Sequence, residues 1–424
     1  MRRFGNDETA EGDMKVNKKK ALIIGSGIAG PVAALALKRA GLEVEVYEAK
    51  DAAQDEAGAF LNLAPNGVNV LKILGIEHRI AAEGFKSAGI ALFNARGKQI
   101  GFIDSRREEE QYGAGNLMLK RGALNKALYE AARDEGIAIQ YGQRLVDSTV
   151  TGGKRVIARF ENGLTAEGDL LVGCDGIHSR TRQLVLPDGP QPTYTGMIDA
   201  GGFGRYSGNV PLPGAQHMTF GRRAFFGYIR GAESVWWFSN VAMPQEVNRD
   251  ELRAIPDAEW RQKLLDLHKD DPSPIPEIIR STTDIVGKWP VYDMPPLPTW
   301  HRGPLVLVGD AAHATSPHIG QGASLALEDA LVLALCVRDF PEQELALSAY
   351  ERLRKERVER LVEQARRTGD RKIPHPLFGW FRDLTLPLFL KAGSAQSASW
   401  YSYKVAWDKG VNQGQLDSAL VPHR

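Results

Sequence analysis

The chain has 424 residues, with 53 Lys and Arg against 52 Asp and Glu, a formal net charge of +1, and a composition 43% hydrophobic and 25% charged. This is an ordinary composition for a water-soluble protein, long enough for two or three domains, and it excludes the strongly basic surface of a nucleic-acid binder. Only two cysteines occur, Cys174 and Cys336, which excludes a disulfide framework and makes a reducing compartment, the cytoplasm, the expectation; no metal site is expected.

Residues 1–17 are polar, acidic and glycine-containing, the texture of a disordered leader, with Met14 a candidate start. The first organised stretch is Lys18 to Glu48. The apolar run Ala21 to Ile24 enters Gly25-Ser26-Gly27-Ile28-Ala29-Gly30, the G-x-G-x-x-G spacing of a dinucleotide-binding turn. Gly25 permits the tight reversal, Gly27 lets backbone approach a pyrophosphate, and Gly30 lets the following helix lie against the sheet. The phosphates are expected at that helix N-terminus, beside Ile28 and Ala29, where N–H groups and the helix dipole favour an anion. A second strand ends at Glu48, eighteen residues after Gly30, where a carboxylate can accept from an adenosine ribose. Four glycines, a proline and a Lys-Arg pair argue against reading residues 21–41 as a membrane helix.

Further along, Pro65-Asn66-Gly67 precedes an amphipathic run, with Asn66 the expected helix N-cap. Another helix is expected after Lys120-Arg121-Gly122, with Leu124, Ala127, Leu128 and Ala131 on one face. Strands fit Ile137 to Tyr141, Arg155 to Phe160 and Leu164 to Glu167, the last two joined by a hairpin turn at Glu161-Asn162-Gly163. A second landmark follows: the buried-type strand Leu170 to Cys174 delivers Asp175-Gly176 into a turn, with Arg182 downstream. Cys174 reads as a small buried residue. From Pro192 to Val241 aromatic strands carry Phe220, Phe225, Phe226, Tyr228, Trp236, Trp237 and Phe238, predicting a separate antiparallel sheet. A helix is expected over 257–269, and the Pro290 to Pro298 stretch should return the chain. The third landmark is an apolar strand ending in Gly309-Asp310, then Pro317, Gly320 and Gly322 before a helix from Ala323 to Val337. An amphipathic Arg/Glu-rich helix through Tyr350, Leu353, Val358, Leu361 and Ala365 comes next. The apolar group between Leu377 and Leu390 is interrupted by Pro387 and lacks a basic face, so it is expected to cover protein rather than membrane.

These three landmarks, in this order, resemble the FAD-dependent aromatic hydroxylases, single-component flavoprotein monooxygenases of the p-hydroxybenzoate and salicylate hydroxylase type. The resemblance spans roughly residues 20 to 370. It implies an α/β fold: a Rossmann-like FAD-binding domain with a parallel sheet and β-meander (18–185 and 286–345), a substrate-binding domain with a mainly antiparallel sheet (186–285), and a C-terminal helical region (346–424). It implies that Gly25, Gly27, Ile28, Ala29, Gly30 and Glu48 hold the ADP half of tightly bound, non-covalent FAD, that Asp175 belongs to a motif associated with FAD and NAD(P)H, and that Gly309, Asp310, Gly320, Gly322 and Ala323 hold the ribityl and flavin end. Arg121 matches an FAD-contacting arginine, and Leu145 would lie near the adenine. NADPH or NADH would be the co-substrate, and no second nicotinamide-binding Rossmann motif is present.

The resemblance further implies that a flavin C4a-hydroperoxide, formed with O2, carries the oxygen transfer into an aromatic or polyketide-like small molecule. No catalytic side chain is assigned, although Pro317 and His313 are candidates to lie near the ring; His178, His313 and His318 are read as structural. Phe220, Phe226, Tyr228 and Trp237 are the substrate-contact candidates. The protein would be a monomer or homodimer without an integral membrane segment. Two alternatives remain at this point. A halogenase or reductase of the same fold is disfavoured because the halogenase pattern of two tryptophans flanking an isoleucine is absent; a non-catalytic protein resembling the GDP-dissociation inhibitors is disfavoured by the intact Asp175-Gly176 and Gly309-Asp310 turns.

Overall fold

The computed structural model describes residues 18–53, 58–370 and 397–411. The polar leader and the Leu377–Leu390 segment lie outside these residues.

Three apolar strands, Leu305–Leu307, Leu170–Gly173 and Lys20–Ile24, run side by side and parallel in a six-stranded sheet, followed outward by Glu43–Tyr47 and Ile139–Gln140. Their near-continuous Val, Ile and Leu content fits strands buried on both faces. Register pairs Ile24 with Gly173, and Gly173 in turn with Leu307. The three landmark turns therefore leave the sheet at one edge, its carboxyl end, where ligands of open α/β sheets bind. One face is covered by the helix Ala29–Arg39, buried from Gly30 to Leu37. The helix Gly322–Asp339 is buried from Ser324 to Cys336 and is thus central.

The second sheet has seven strands, ordered Ile285–Asp293, Thr193–Gly204, Val235–Ala242, Phe225–Arg230, Ala215–Phe220, Gly89–Asn94 and Gln99–Asp104. Two of its strands come from residues 89–104, inside the segment assigned to the FAD-binding domain from sequence, and Gly89–Asn94 joins Ala215–Phe220 in parallel. The stretch Pro290 to Pro298, expected to return the chain, begins inside the edge strand of this sheet, where a proline leaves no central ladder bond unmade, and the chain re-enters the six-stranded sheet at His301.

Alternation divides the second sheet sharply. Ile198, Phe226, Tyr228, Trp237 and Val241 share one core cluster with Leu252, Trp260, Leu264, Ile278 and Ile279 of the flanking helices. Trp237 stacks on Phe226 at 5.4 Å and donates from Nε1 to Thr282 Oγ1 at 2.8 Å. The opposite face carries Phe203, Ile229, Trp236 and Phe238, and meets Phe60, Phe85 and Met118 of a small antiparallel sheet formed by Phe60–Leu63, Leu117–Lys120 and Gly84–Phe85.

Two local expectations change. The helix after Leu63 is Pro65–Leu74 with Ala64 at the N-cap, because proline at the first position presets φ. Asn66 is buried in the first turn and points its amide elsewhere. The meander consists of Leu145–Thr151, Arg155–Phe160 and Thr165–Gly168, whereas Ile139–Gln140 extends the parallel sheet. Trp237→Ala should destabilise the fold by about 3–5 kcal/mol through the cavity and the lost transfer energy, read as a lowered urea midpoint of intrinsic fluorescence.

Candidate active site

The first turn is built by exclusion of side chains. A Cβ on Gly30 would lie 2.0 Å from the Gly25 carbonyl oxygen, and one on Gly25, at φ +97°, would lie 2.5 Å from that of Cys174. A Cβ on Gly27 would meet nothing within 4 Å. Gly30 therefore serves packing of the helix start on the first turn, Gly25 serves packing between the first and second motifs, and Gly27 lines open space beside the helix start at Ile28 and Ala29. Glu48 stands over this turn: its Oε2 accepts from Ser26 N at 2.7 Å and Ser26 Oγ at 3.0 Å, and its Oε1 accepts from Lys50 N at 3.0 Å.

In the second motif Asp175 accepts from Ser179 Oγ, Thr181 N and Thr181 Oγ1. Burial pushes its carboxyl pKa up, and these hydrogen bonds oppose the shift. Arg182 is 2% exposed and donates to the carbonyls of Ile177 and Ala311. It thereby ties the second motif to the third.

The third motif turns at Gly309, φ +63°, whose added Cβ would sit 2.9 Å from Ala326 Cβ and 3.6 Å from Ala29 Cβ. Asp310 opens the short helix Asp310–His313 and is exposed, although Ala311, Ala312 and His313 behind it are buried. Its carboxylate is thus turned outward at the same sheet edge as Gly27 and Glu48. Gly320, φ +62°, ends the turn Pro317–Ile319, and Gly322 starts the long helix with no acidic residue in its first turn. Gln321 is buried, and its Nε2 has no partner among the described residues. An open glycine turn, an outward carboxylate and an unpaired buried amide fit a dinucleotide carrying phosphates, ribose or ribityl hydroxyls and a flavin ring.

Behind the third motif lies a charge cluster that sequence reading missed. Asp329 is fully buried; its Oδ2 accepts from Gly309 N at 3.1 Å and pairs with His313 Nε2 at 2.5 Å, while its Oδ1 accepts from Arg354 Nε at 2.7 Å. Neighbouring Glu328 forms an ion pair with Arg354 and accepts from Arg357 and Asn66 Nδ2, and Asn66 also donates to Gln321 Oε1. Tyr403 lies beneath both guanidiniums, 5.3 Å from Arg354 and 4.2 Å from Arg357. The one signal for this cluster in the sequence is the pair Glu328-Asp329 inside the apolar run Ala326 to Leu335, since buried carboxylates require partners.

The remaining candidates sort by position. Arg121 heads the helix Arg121–Asp134 and its Cδ would contact a Cβ on Gly58 at 3.1 Å. Leu145 is 5% exposed within the main core. Cys174 is buried. His313 is held by Asp329 and packs on Trp300 at 5.2 Å. Pro317 is exposed at the loop before Gly320. His178 lies edge-on to Tyr292, its pKa lowered by burial, and His318 abuts Gly369. Among the substrate candidates, Phe220 pairs with Phe225 on the aromatic face that looks toward the small sheet. Phe226, Tyr228 and Trp237 lie on the opposite, helix-backed face, because the pleat sends alternate residues to opposite sides. Among the described residues no group of His, Cys, Asp and Glu could hold a metal ion, and no helix is long and apolar enough to cross a membrane.

A family model described as an FAD binding domain matches residues 18–365. The chain is 30% identical over 362 residues to 6-hydroxynicotinate 3-monooxygenase of Pseudomonas fluorescens, covering 80% of this chain and 88% of that protein. It is 31% identical over 350 residues to aurachin C monooxygenase/isomerase of Stigmatella aurantiaca, covering 82% and 88%. The HpxO protein of Klebsiella pneumoniae, crystallised with FAD and uric acid, superposes with a TM-score of 0.75 at 26% identity, covering 95% of this chain and 97% of that one. The chain belongs to the FAD-binding-domain family, among the FAD-dependent monooxygenases. It is an oxidoreductase whose cofactor is FAD.

Gly27→Ala should fold normally yet retain little flavin, whereas Gly30→Ala should lower soluble yield and thermal stability before flavin is considered; absorbance at the flavin band and a thermal melt separate the two. Arg354→Met leaves two buried carboxylates short of a cation and should cost about 3–5 kcal/mol in urea unfolding. Burial by itself would raise the Asp329 pKa, but the His313 and Arg354 charges outweigh it and hold the value at about 2. A folded value below the ordinary 3.8 means this carboxylate adds stability above that pH and loses it as pH falls toward about 2. The acid-unfolding midpoint of Arg354→Met should therefore move to higher pH.

Proposed function

We propose that this chain is an NAD(P)H-dependent flavoprotein hydroxylase that inserts one oxygen atom of O2 into a planar aromatic, heteroaromatic or polyketide-like small molecule. The observation that carries the reading is the meeting of three glycine-bearing turns at one sheet edge with an aromatic sheet face nearby. Bound FAD supplies the redox chemistry that two-electron reduction by NAD(P)H and activation of O2 require. The balance is substrate, O2, NAD(P)H and a proton giving hydroxylated substrate, NAD(P)+ and water.

The chain's own residues bind, orient and shield. Gly27 with the N–H groups of Ile28 and Ala29 would take the pyrophosphate, Glu48 the adenosine ribose, and Asp310 the ribityl hydroxyls. The helix start at Gly322 and Ala323 would place positive dipole against the flavin edge, where negative charge gathers on reduction. Arg121 and Asp175, with Arg182, would support the same cofactor; the core position of Leu145 suits packing beneath it. The substrate would rest on Phe203, Trp236 and Phe238, joined by Phe220, in a water-poor space. This reading keeps the division into a cofactor unit, expected at residues 18–185 and 286–345, and a substrate unit built on the second sheet, moves residues 89–104 and 286–293 from the first to the second, and places the enzyme in the cytoplasm as a monomer or homodimer.

The measurement is substrate-stimulated NADPH or NADH oxidation across an aromatic panel under 18O2, with product mass read alongside. One labelled oxygen per product is expected. Stimulated oxidation whose products carry only solvent oxygen would refute the reading.

A further inference from the structure

We propose that Asn62 and Lys120 are the specificity-determining polar pair of the substrate site, selecting planar aromatic molecules that carry an ionised oxygen at one end and an N–H or O–H donor at the other. The inference rests on the hydroxylase reading for the site's location and deepens it by naming the substrate's charge and hydrogen-bonding pattern.

The argument begins with register. Phe60 pairs with Lys120 and Asn62 with Met118, and Phe85 pairs with Met118 on the other side. Directly paired residues share a face, as do residues two apart. Phe60, Asn62, Phe85, Met118 and Lys120 therefore stand on one face of the small sheet. That face meets the aromatic face of the large sheet: Phe60 and Phe85 lie 5.6 and 5.1 Å from Trp236, and Lys120 Nζ lies 5.0 Å from the centre of the Phe203 ring. Asn62 and Lys120 are the polar exceptions on an otherwise apolar surface.

Each has an unmet requirement. Asn62 Oδ1 is inaccessible to solvent and has no hydrogen-bond partner among the described residues, so its desolvation is uncompensated until a donor arrives. A Cβ on Gly320 would lie 4.0 Å from Asn62 Cβ and Nδ2, which puts the amide between the aromatic face and the loop assigned to the flavin end. Lys120 is exposed and forms no ion pair among the described residues; its amine rests on an aromatic ring instead. As diagonal neighbours the two have Cα atoms about 7–8 Å apart, a span that one aromatic ring with a substituent at each end can bridge. An anionic oxygen on Lys120 would make a charge-assisted hydrogen bond beside apolar walls, where such bonds are strong. The Asn62 carbonyl would then accept from the opposite end of the ring.

Binding to FAD-loaded protein tests the pair, using the perturbation of flavin absorbance by salicylate and 6-hydroxynicotinate against their uncharged counterparts phenol and 2-hydroxypyridine. The expected result is a preference of about ten-fold or more for each anion, abolished in Lys120→Met and kept in Lys120→Arg, with flavin content unchanged in both. Asn62→Leu should weaken 6-hydroxynicotinate and 2-hydroxypyridine by a similar factor, and Asn62→Gln should restore part of it. Equal binding of anions and neutral compounds, no perturbation by any of the four, a preference that survives in Lys120→Met, or loss of flavin from that variant would each overturn the proposal. The last would make Lys120 a cofactor ligand. A protein that shows the Lys120-dependent preference but inserts no oxygen would refute the hydroxylase reading and leave the recognition pair standing.

Discussion

The organisation of this protein depends on backbone contact between glycines. The Gly25 carbonyl occupies the place where a Gly30 side chain would begin, and the Cys174 carbonyl occupies that of Gly25. The first helix can therefore sit on the first strand, and the second motif can sit against the first, only because no Cβ intervenes. The parallel register of the three central strands then sets the Gly25, Asp175 and Gly309 turns along one edge. A chain separation of more than a hundred residues between successive motifs becomes adjacency in space.

The third turn needs a separate anchor, and Asp329 provides it. Its carboxylate bonds the Gly309 amide directly and is paired with His313 and Arg354. Burial opposes such an ion, so the arrangement is sound only while every lone pair is used. Through Glu328 the same cluster reaches Asn66, Gln321, Arg357 and the ring of Tyr403. Trp407 extends the attachment, accepting at its carbonyl from Arg338 and lying 4.6 Å beneath that guanidinium. The long helix Gln343–Asp370 and the segment 397–411 thus act on the cofactor turns at one remove, by holding the charges that hold the loop.

The parts of the site made from backbone were legible in the sequence. Glycine spacing, strand-like apolar runs and the acidic residues closing them are local patterns; the α/β class and a dinucleotide ligand followed from them, and the resemblance of the three motifs to the aromatic hydroxylases implied FAD. The aromatic strands were legible as strands, yet their facing was not. Phe226, Tyr228 and Trp237 belong to the helix-backed core, whereas Trp236, Phe238 and Phe203 form the face opposed to the small sheet. Alternation fixes that the two sets differ; only packing decides which set meets the helices. Asn66 shows the same limit at smaller scale, since its capping preference yielded to Pro65 at the helix start and to partners more than 250 residues away.

By itself the sequence determined the three turns, the class of fold and a dinucleotide-type ligand, because each depends on backbone conformations that only particular residues at particular spacings allow. Tertiary structure decided which side chains those turns share. Asp329 meets Gly309 and Arg354, Arg182 meets Ala311, and Asn62 and Lys120 come to one face through strand register. These are contacts between segments distant in the chain, set by packing and charge compensation, and no local pattern encodes them.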